Sequence, residues 1–420
     1  MKYRQYQLEN AHEKISTKSG EIIFPIFCLW SFVLIGRPQD FLSILVPLRP
    51  ALTIGLLILI IFISRYSYLL KKIDLHNPQI RKYLYLVIMM VLSIPFAYHR
   101  KIAFMFVFTK YLVNILYFFF FFVLVDSIQK VKSILFLCCI GTMLYSLFSL
   151  ISGGLTGGRL FAGNMFDPND LAFFLISFLP LNFLFISNSE TIKKKIVGVV
   201  NICCSLIVTL MTGSRGGFIA LGVIILLLFF KKTKTIRAAY KMIFLCLVSV
   251  LIFMNKGTID FDRFATLMHP SEDYNLTDEF GRKQIWEQGL KLMIMNPVTG
   301  VGVGCFDMAL GYYRESQGKI AKWQTAHNSW IQMGTETGII GFILFALLSI
   351  GAFRTFKKAS KSKSIELKTV NEMLIIGFIG HFICAMFISQ AYSIYWTFYI
   401  AISATSYKFL MDFEKKAKAS

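Results

Sequence analysis

Charged side chains are scarce in this sequence. They make up 16% of its 420 residues, with 23 acidic against 44 basic ones, whereas a soluble chain carries roughly 25%. Apolar residues instead form runs of about 15–25 residues along nearly the whole chain, which excludes both disorder and a soluble enzyme with a single membrane anchor. The net charge of +21 is therefore interpreted first as a signal of membrane orientation, and a nucleic-acid partner is not expected.

Several functional motifs are missing as well. The sequence has no Walker phosphate loop, no HExxH metal motif and no internal repeat that would favour an inverted-repeat transporter. Seven of the eight cysteines lie in apolar runs and are interpreted as small hydrophobic residues. Cys305 lies in a polar segment and is expected to be exposed. No disulfide framework, metal site or cofactor is predicted, and the Gly-Val-Gly-Val-Gly run at 300–304 predicts a tight turn.

The apolar runs predict an all-α polytopic membrane protein with about twelve spans. A polar tail at 1–21 precedes nine spans within 22–254, a polar loop at 255–326 follows, and 327–420 holds three more spans and a second tail. The predicted spans are 22–36, 51–70, 83–98, 103–125, 132–152, 170–187, 196–212, 216–230, 239–254, 329–353, 371–389 and 391–410.

The basic residues predict how this protein is oriented. If the N-terminus is cytoplasmic and each span crosses once, 29 of the 44 Lys and Arg residues lie inside and the short outside loops hold six. Basic residues concentrate on the cytoplasmic side, and long loops cross regardless of charge. Both termini are therefore predicted to be cytoplasmic and the 255–326 loop external. The basic inner segments also favour contact with anionic membrane lipids.

Two glycine-rich segments fall on the outer face in this topology. The first runs from Gly153 to Asp170, and two interpretations stay open. It is either a flexible loop ended by a helix cap at Asn169 or Asp170, or an anion contact made by Arg159. The second is the turn TGSRGG at 212–217. Its arginine either snorkels at the interface or binds an anion beside a helix N-terminus.

Two further polar segments lie in or next to the long loop. Apolar residues at helical spacing predict an amphipathic helix near 282–295, with Arg282 at its start, where the helix dipole disfavours a cation. That placement indicates either a ligand or partner carboxylate, or a structural salt bridge. His327 precedes the tenth span, where the dipole would keep its ring neutral, so it is interpreted as a proton acceptor or as a capping residue.

Other polar residues lie within the predicted spans, namely Lys110, Asn114, Glu336 and His381. Each is a functional candidate, because polar groups are costly in the membrane. Glu336 is nine residues after His327, on the opposite side of the helix, and is not expected to be its partner. The unusual residues nevertheless concentrate at one face, which favours chemistry at the outer surface over transport.

These segments together resemble the O-antigen ligase and polymerase superfamily of bacterial envelope glycosyltransferases. Arg215 and Arg282 match arginines that hold the donor diphosphate in that family, and His327 matches its essential histidine, a candidate base for the acceptor hydroxyl. Arg159, Asn169, Ser214, Gly216 and Asn328 are further candidate substrate contacts. The matching residues are 163–172, 212–221, Arg282 with Ile285 and Trp286, 296–306 and 326–341.

The resemblance implies a C-type glycosyltransferase fold in the bacterial inner membrane, with its active site facing the periplasm. It also implies a polyprenyl-diphosphate-linked glycan donor, a lipid- or glycan-linked acceptor, inversion at the anomeric centre and no metal. A ligase, a polymerase and a protein O-glycosylating ligase share these motifs. The Arg-Pro-Gln-Asp turn at 37–40 resembles the corresponding turn in relatives that are found with exopolysaccharide export. This resemblance favours a polymerase. The alternatives are a non-catalytic transporter or flippase of lipid-linked sugars, and a structural scaffold.

Overall fold

The computed structural model describes residues 23–64, 74–163, 167–188, 191–230, 241, 244–245, 247–248 and 274–419. The N-terminal tail, most of the span predicted at 239–254 and the first part of the 255–326 loop lie outside the described residues. The position of the long loop relative to a membrane therefore stays a prediction.

Within the described ranges the chain is an all-helical polytopic membrane protein. Seven helices are long and apolar enough to cross a membrane: α3 (Pro78–Phe96), α4 (Arg100–Leu124), α5 (Ile128–Ser152), α6 (Pro168–Ser187), α7 (Ile192–Met211), α11 (Ser329–Ala359) and α12 (Ile365–Ala385). Three shorter apolar helices are α1 (Ile23–Gly36), α2 (Pro50–Ser64) and α8 (Arg215–Phe230). The remaining helices are α9 (Arg282–Met295), α10 (Phe306–Ser316) and α13 (Ile394–Ala419), together with a single turn at Tyr274–Thr277.

The helices pack through aromatic rings and close glycine contacts. A Cβ on Gly36 of α1 would lie 2.8 Å from the Cα of Gly141 in α5, so the two helices cross backbone to backbone. Trp30 is fully buried and donates its indole N–H to the carbonyl of Ala51 in α2. Small residues permit such close crossings in membrane bundles, and buried indole N–H groups need an acceptor.

Several polar side chains within the bundle form hydrogen bonds between helices. The side-chain amide of Asn201 in α7 donates to the Thr142 hydroxyl of α5 at 2.8 Å and to the side-chain oxygen of Asn182 in α6 at 2.8 Å. His381, one of the predicted functional candidates, is buried among aromatic rings and its Nδ1 lies 2.9 Å from the Ser177 hydroxyl. These contacts are the interhelical hydrogen bonds expected of structural polar residues in a membrane.

The segment after α5 is a β-hairpin, whereas one of the two interpretations of this segment was a flexible loop. Strand β1 (Gly154–Thr156) pairs antiparallel with β2 (Arg159–Phe161), and the connecting Gly157 and Gly158 both have positive φ. This positive-φ pair is the backbone that a two-residue hairpin turn requires. The hairpin gives Arg159 a defined position on a strand.

The predicted tight turn at 300–304 is confirmed, and it docks into a break in α11. Gly300, Gly302 and Gly304 all have positive φ, as does Gly338, where α11 is kinked. Val301 N–H donates to the Thr335 carbonyl at 2.9 Å, and Ile339 N–H donates to the Pro297 carbonyl at 2.8 Å. The loop thus satisfies backbone groups that the kink takes out of the helix.

Docking of this loop also buries Cys305, and its predicted exposure is wrong. The side chain is fully buried, and burial raises the pKa of its thiol to about 11. Neighbouring Gly302 lies against the turn between α3 and α4, where a Cβ would meet that of Ala97. The 300–304 segment packs through its glycine backbone and not through a row of apolar side chains. The pattern of apolar residues in the sequence therefore does not predict its burial.

Candidate functional site

The predicted site residues meet where four helices begin, namely α6, α8, α9 and α11. A Cβ on Gly217 of α8 would lie 2.9 Å from the Cβ of Ala172 in α6, and one on Gly289 of α9 would lie 2.7 Å from Ile331 in α11. The segment between α12 and α13 joins the two pairs, since Gly216 packs on Phe387 and His327 bonds to Ser389. Helix N-termini present unpaired amides and partial positive charge, so this convergence favours an anionic ligand.

Arg159 connects the β-hairpin to two of these helix starts. Its Nε donates to the Thr212 carbonyl at 2.8 Å, and a terminal guanidinium nitrogen donates to Asn169 Oδ1 at 2.8 Å. The guanidinium also lies against Gly213, whose φ is +54°. Arg159 therefore fixes the turn before α8 relative to the start of α6, and it brings positive charge to the site.

The α6 start is capped by Asp167, not by Asn169 or Asp170 as expected. The Asp167 carboxylate accepts from the backbone N–H groups of Asn169 at 2.7 Å and Asp170 at 2.8 Å. Capping leaves the other two side chains for tertiary contacts, and Asp170 accepts from Gln390 Nε2 at 3.0 Å. The Asp-Pro sequence at 167–168 is a helix-start signal that sequence analysis could have used, since proline favours the first helical position.

Arg215 is the first residue of α8, and the residues around it have structural roles. The Ser214 hydroxyl accepts from Gly217 N–H at 3.3 Å and is buried, as a capping side chain would be. A Cβ on Gly216 would lie 2.8 Å from the Phe387 ring. Ser214 and Gly216, both predicted to contact substrate, therefore shape and pack the turn that holds Arg215.

Arg282 is the first residue of α9, a helix that is fastened to α11 at several points. Trp286 donates its indole N–H to the Ala326 carbonyl at 3.0 Å, and Thr335 donates to the Gly289 carbonyl at 2.9 Å. Arg314 of α10 is fully buried. Its guanidinium donates to the backbone carbonyl of Glu279 and to the side-chain oxygen of Gln288, which lie on either side of Arg282 in the chain. Glycines of α11 allow α9 and the 297–304 loop to pack closely, since a Cβ on Gly334 would meet Met293 and one on Gly338 would meet Pro297.

His327 lies beside Arg282 and Asp167, immediately before α11. Burial, and to a lesser extent the charge of Arg282, lower the pKa of its ring from 6.5 to about 4, while Asp167 acts in the opposite direction. His327 has φ +48°, and its backbone N–H donates to the Ser389 hydroxyl at 2.8 Å. A non-glycine residue in this conformation needs support from its surroundings, and such strain is often found at functional sites.

The residues that follow His327 hold it in place. Asn328, predicted as a substrate contact, caps α11 by accepting from Trp330 and Ile331 N–H groups at 2.9 and 3.1 Å. Ser329 donates to the Ile388 carbonyl at 2.8 Å and accepts from Gln390 N–H at 3.0 Å. Sequence analysis missed Ser389 and Gln390, because their partners are about sixty residues away in the chain and no local pattern marks them.

Glu336 is not bonded to His327, in agreement with the sequence analysis. Its two carboxylate oxygens accept from the backbone N–H groups of Gly304 at 2.8 Å and Phe306 at 3.3 Å. It therefore ties the glycine turn to α11. Within the described part of the chain, no three His, Cys, Asp or Glu side chains are grouped as metal ligands would be.

The comparison with known families covers the core of this site. The sequence profile described as O-antigen ligase matches residues 200–346. This region belongs to the O-antigen ligase family. The family region contains Arg215, Arg282 and His327, whereas Arg159 and Asn169 come from the preceding hairpin and α6. Of the residues that surround His327, Arg282 lies within the matched region, whereas Asp167 and Ser389 lie outside it.

One curated protein is similar to about half of this chain. It is an uncharacterised protein of Haemophilus influenzae, 23% identical over 207 residues, which is 45% of this chain and 50% of that protein. The chain thus spans about half the length of this curated relative.

Proposed function

We propose that this ligase-family protein is a membrane glycosyltransferase that moves a glycan from a polyprenyl-diphosphate donor to an acceptor hydroxyl. The observation that carries the proposal is the position of His327 beside Arg282 and Asp167, at the meeting of four helix starts. A cationic pocket with one neutral base suits a reaction whose leaving group is an anion and whose nucleophile must lose a proton. The chain would work in the bacterial inner membrane, with both termini cytoplasmic and this site facing the periplasm.

The arginines would stabilise the leaving group. A diphosphate is already a good leaving group, so the site has to stabilise its developing charge more than protonate it. The guanidinium forks of Arg215 and Arg282 can each bind two phosphate oxygens, which a lysine ammonium cannot reproduce. The helix starts that carry them add amides of the same polarity. Because the arginines and helix starts would stabilise the diphosphate charge, no metal ion is required for that purpose. We therefore expect glycan transfer to continue in the presence of a chelator.

His327 would take the proton of the nucleophile. The acceptor hydroxyl oxygen bonds to the anomeric carbon opposite the diphosphate, and the carbon–oxygen bond to the diphosphate breaks with its electron pair leaving on phosphate oxygen. The hydroxyl proton passes to the neutral imidazole, and the Asp167 carboxylate stabilises the imidazolium that results. Attack opposite the leaving group inverts the anomeric configuration. The bound diphosphate also raises the basicity of His327, because nearby negative charge favours the imidazolium.

The pH dependence of transfer should follow from this environment. Only neutral His327 accepts a proton, and it is neutral above its pKa of about 4, so kcat/KM should be constant near neutral pH and fall as pH drops through about 4. The acid limb of kcat, which reports the donor complex, should lie at higher pH. The acid limbs of kcat/KM and of kcat are both measured from initial rates between pH 3.5 and 8. Circular dichroism checks that the protein stays folded over this range.

Two charge variants check the assignment of that limb. Arg282→Ala removes a charge that lowers the His327 pKa and should move the limb to higher pH, whereas Asp167→Asn should move it to lower pH while keeping a capping side chain. An acid limb near 6.5, unmoved by either variant, would contradict the role of His327 in this environment.

The proposed function is tested with the purified full chain in nanodiscs. The donor is the polyprenyl-diphosphate oligosaccharide of the source strain, and it is supplied with chelator, with and without a lipid-core acceptor. A ladder of products from donor alone identifies a polymerase, and a single transfer that needs added acceptor identifies a ligase. Bound donor without any product overturns the proposal in favour of a transporter or flippase.

A further inference from the structure

A cavity of about 410 Å³ adjoins the candidate site. Its walls come from α1, α4, α11 and the segment that leads into α13. Ser389 and Gln390 form the wall nearest to the site, and the same side chains bond to the backbone of His327 and to Asp170. Ser389 therefore borders both the cavity and the backbone of His327.

The cavity draws on different elements from the diphosphate arginines. Arg37 and Lys110 lie in its wall, but no residue of α8 or α9 is among the described residues that line it. A pocket for the donor diphosphate would be expected to include Arg215 or Arg282. This cavity is thus a second compartment next to the same histidine.

The lining of the cavity has the chemistry that recognises sugars. Four side-chain amides, those of Gln39, Asn114, Gln332 and Gln390, stand among aromatic rings and hydroxyls. Amides donate and accept hydrogen bonds at once, as sugar hydroxyls do. The rings of Phe106 and Tyr392, which pack edge to face, also line the cavity and add apolar surface to it.

The helix wall of the cavity has an irregular backbone. Residues Phe106–Tyr111 form a π-helical turn within α4, which brings Phe106 and Lys110 to the cavity. The Lys110 ammonium lies 5.8 Å from the Phe106 ring. Such π-turns insert one residue into a helix and are frequent at functional sites. Lys110, one of the functional candidates in the sequence, is therefore part of a polar cavity wall.

From these observations we propose that the cavity is the acceptor subsite, which holds the hydroxyl-bearing terminal sugar of the acceptor glycan next to His327. The inference rests on the proposed function and deepens it. It accounts for Lys110, Asn114 and the Arg37 turn, which the diphosphate site leaves without a role. A sugar held there would approach the histidine from the side of Ser389.

The test fills the cavity with a tryptophan side chain. It then measures the KM for the acceptor and the binding of the donor separately. Val113 lines the cavity, whereas the adjacent Leu112 does not and is 38% exposed on the same helix. Val113→Trp is therefore compared with Leu112→Trp in the full chain. Transfer is measured at saturating donor against a soluble glycoside of the source strain's repeat unit, and binding of the polyprenyl-diphosphate donor is measured by equilibrium titration.

Val113→Trp should raise the KM for the glycoside at least about tenfold, which is the loss of one or two good contacts, and leave donor binding within about twofold. Leu112→Trp should match the wild type. An unchanged KM in Val113→Trp would overturn the inference, and so would an equal loss of donor binding, which would assign the cavity to the donor. Absence of transfer in the wild type would instead reject the proposed function.

A milder variant guards against misfolding of the tryptophan protein. Lys110→Gln changes an exposed side chain in the cavity wall, and Lys101→Gln changes an exposed lysine on the same helix outside it. The first should raise the KM for the glycoside several-fold and the second should not. Equal KM values in these two variants, together with an unfolded Val113→Trp protein, would count against the subsite.

Discussion

His327→Asn is expected to reduce glycan transfer by about 10²–10⁴-fold, the usual contribution of a general base. Donor binding should remain, because the diphosphate contacts come from other side chains. The variant is better than alanine for this purpose. His327 has φ +48°, and asparagine adopts the left-handed region more readily than other non-glycine residues. The backbone that positions α11 is thereby kept while the ring is removed.

The control for this experiment is His76→Ala, since His76 is exposed and lies outside the candidate site. It should transfer glycan at the wild-type rate. His327→Ala should lose at least as much activity as His327→Asn, and any additional loss measures the cost of the strained backbone. If His327→Asn retains most of the wild-type kcat, the histidine is a capping residue and another group takes the proton.

Replacing Arg282 by lysine should be nearly as damaging as replacing it by alanine. Alanine removes a donor to the leaving diphosphate and should raise the barrier by about 2–4 kcal/mol, or roughly 30–1000-fold in kcat, by analogy with an oxyanion-hole donor. Lysine keeps the charge but loses the two-pronged geometry. Arg215→Lys and Arg215→Ala should behave in the same way, because Arg215 begins α8 as Arg282 begins α9.

Lys283→Ala is the matched control, because Lys283 is the next residue of α9 and is exposed. It should have little effect on transfer, and the thermal unfolding midpoint of all five proteins should be similar. Full activity in Arg282→Lys would mean that only charge is needed there. Full activity in both alanine variants would show that neither arginine contributes to transfer. The helix starts alone would then bind the diphosphate.

Sequence analysis located the site residues better than it described their roles. Ser214, Gly216 and Asn328 were expected to touch substrate, and the structure uses them to cap or pack helix starts. The predicted substrate contacts stay predictions, and the structural roles have a physical origin. Small and capping residues mark helix starts whatever the purpose of that start is, so their pattern indicates where an anion site can form and not which atom would touch the anion.

The sequence by itself determined the class of this protein, because apolar runs without charge have no stable place outside a membrane. It also placed Arg215, Arg282 and His327 at segment boundaries, since turn glycines and capping residues are local signals. Only the tertiary structure decided that Asp167 and Ser389 meet His327, that Cys305 is buried and that a cavity lies beyond Ser389. These features depend on contacts between distant segments, which periodicity and local propensity do not record.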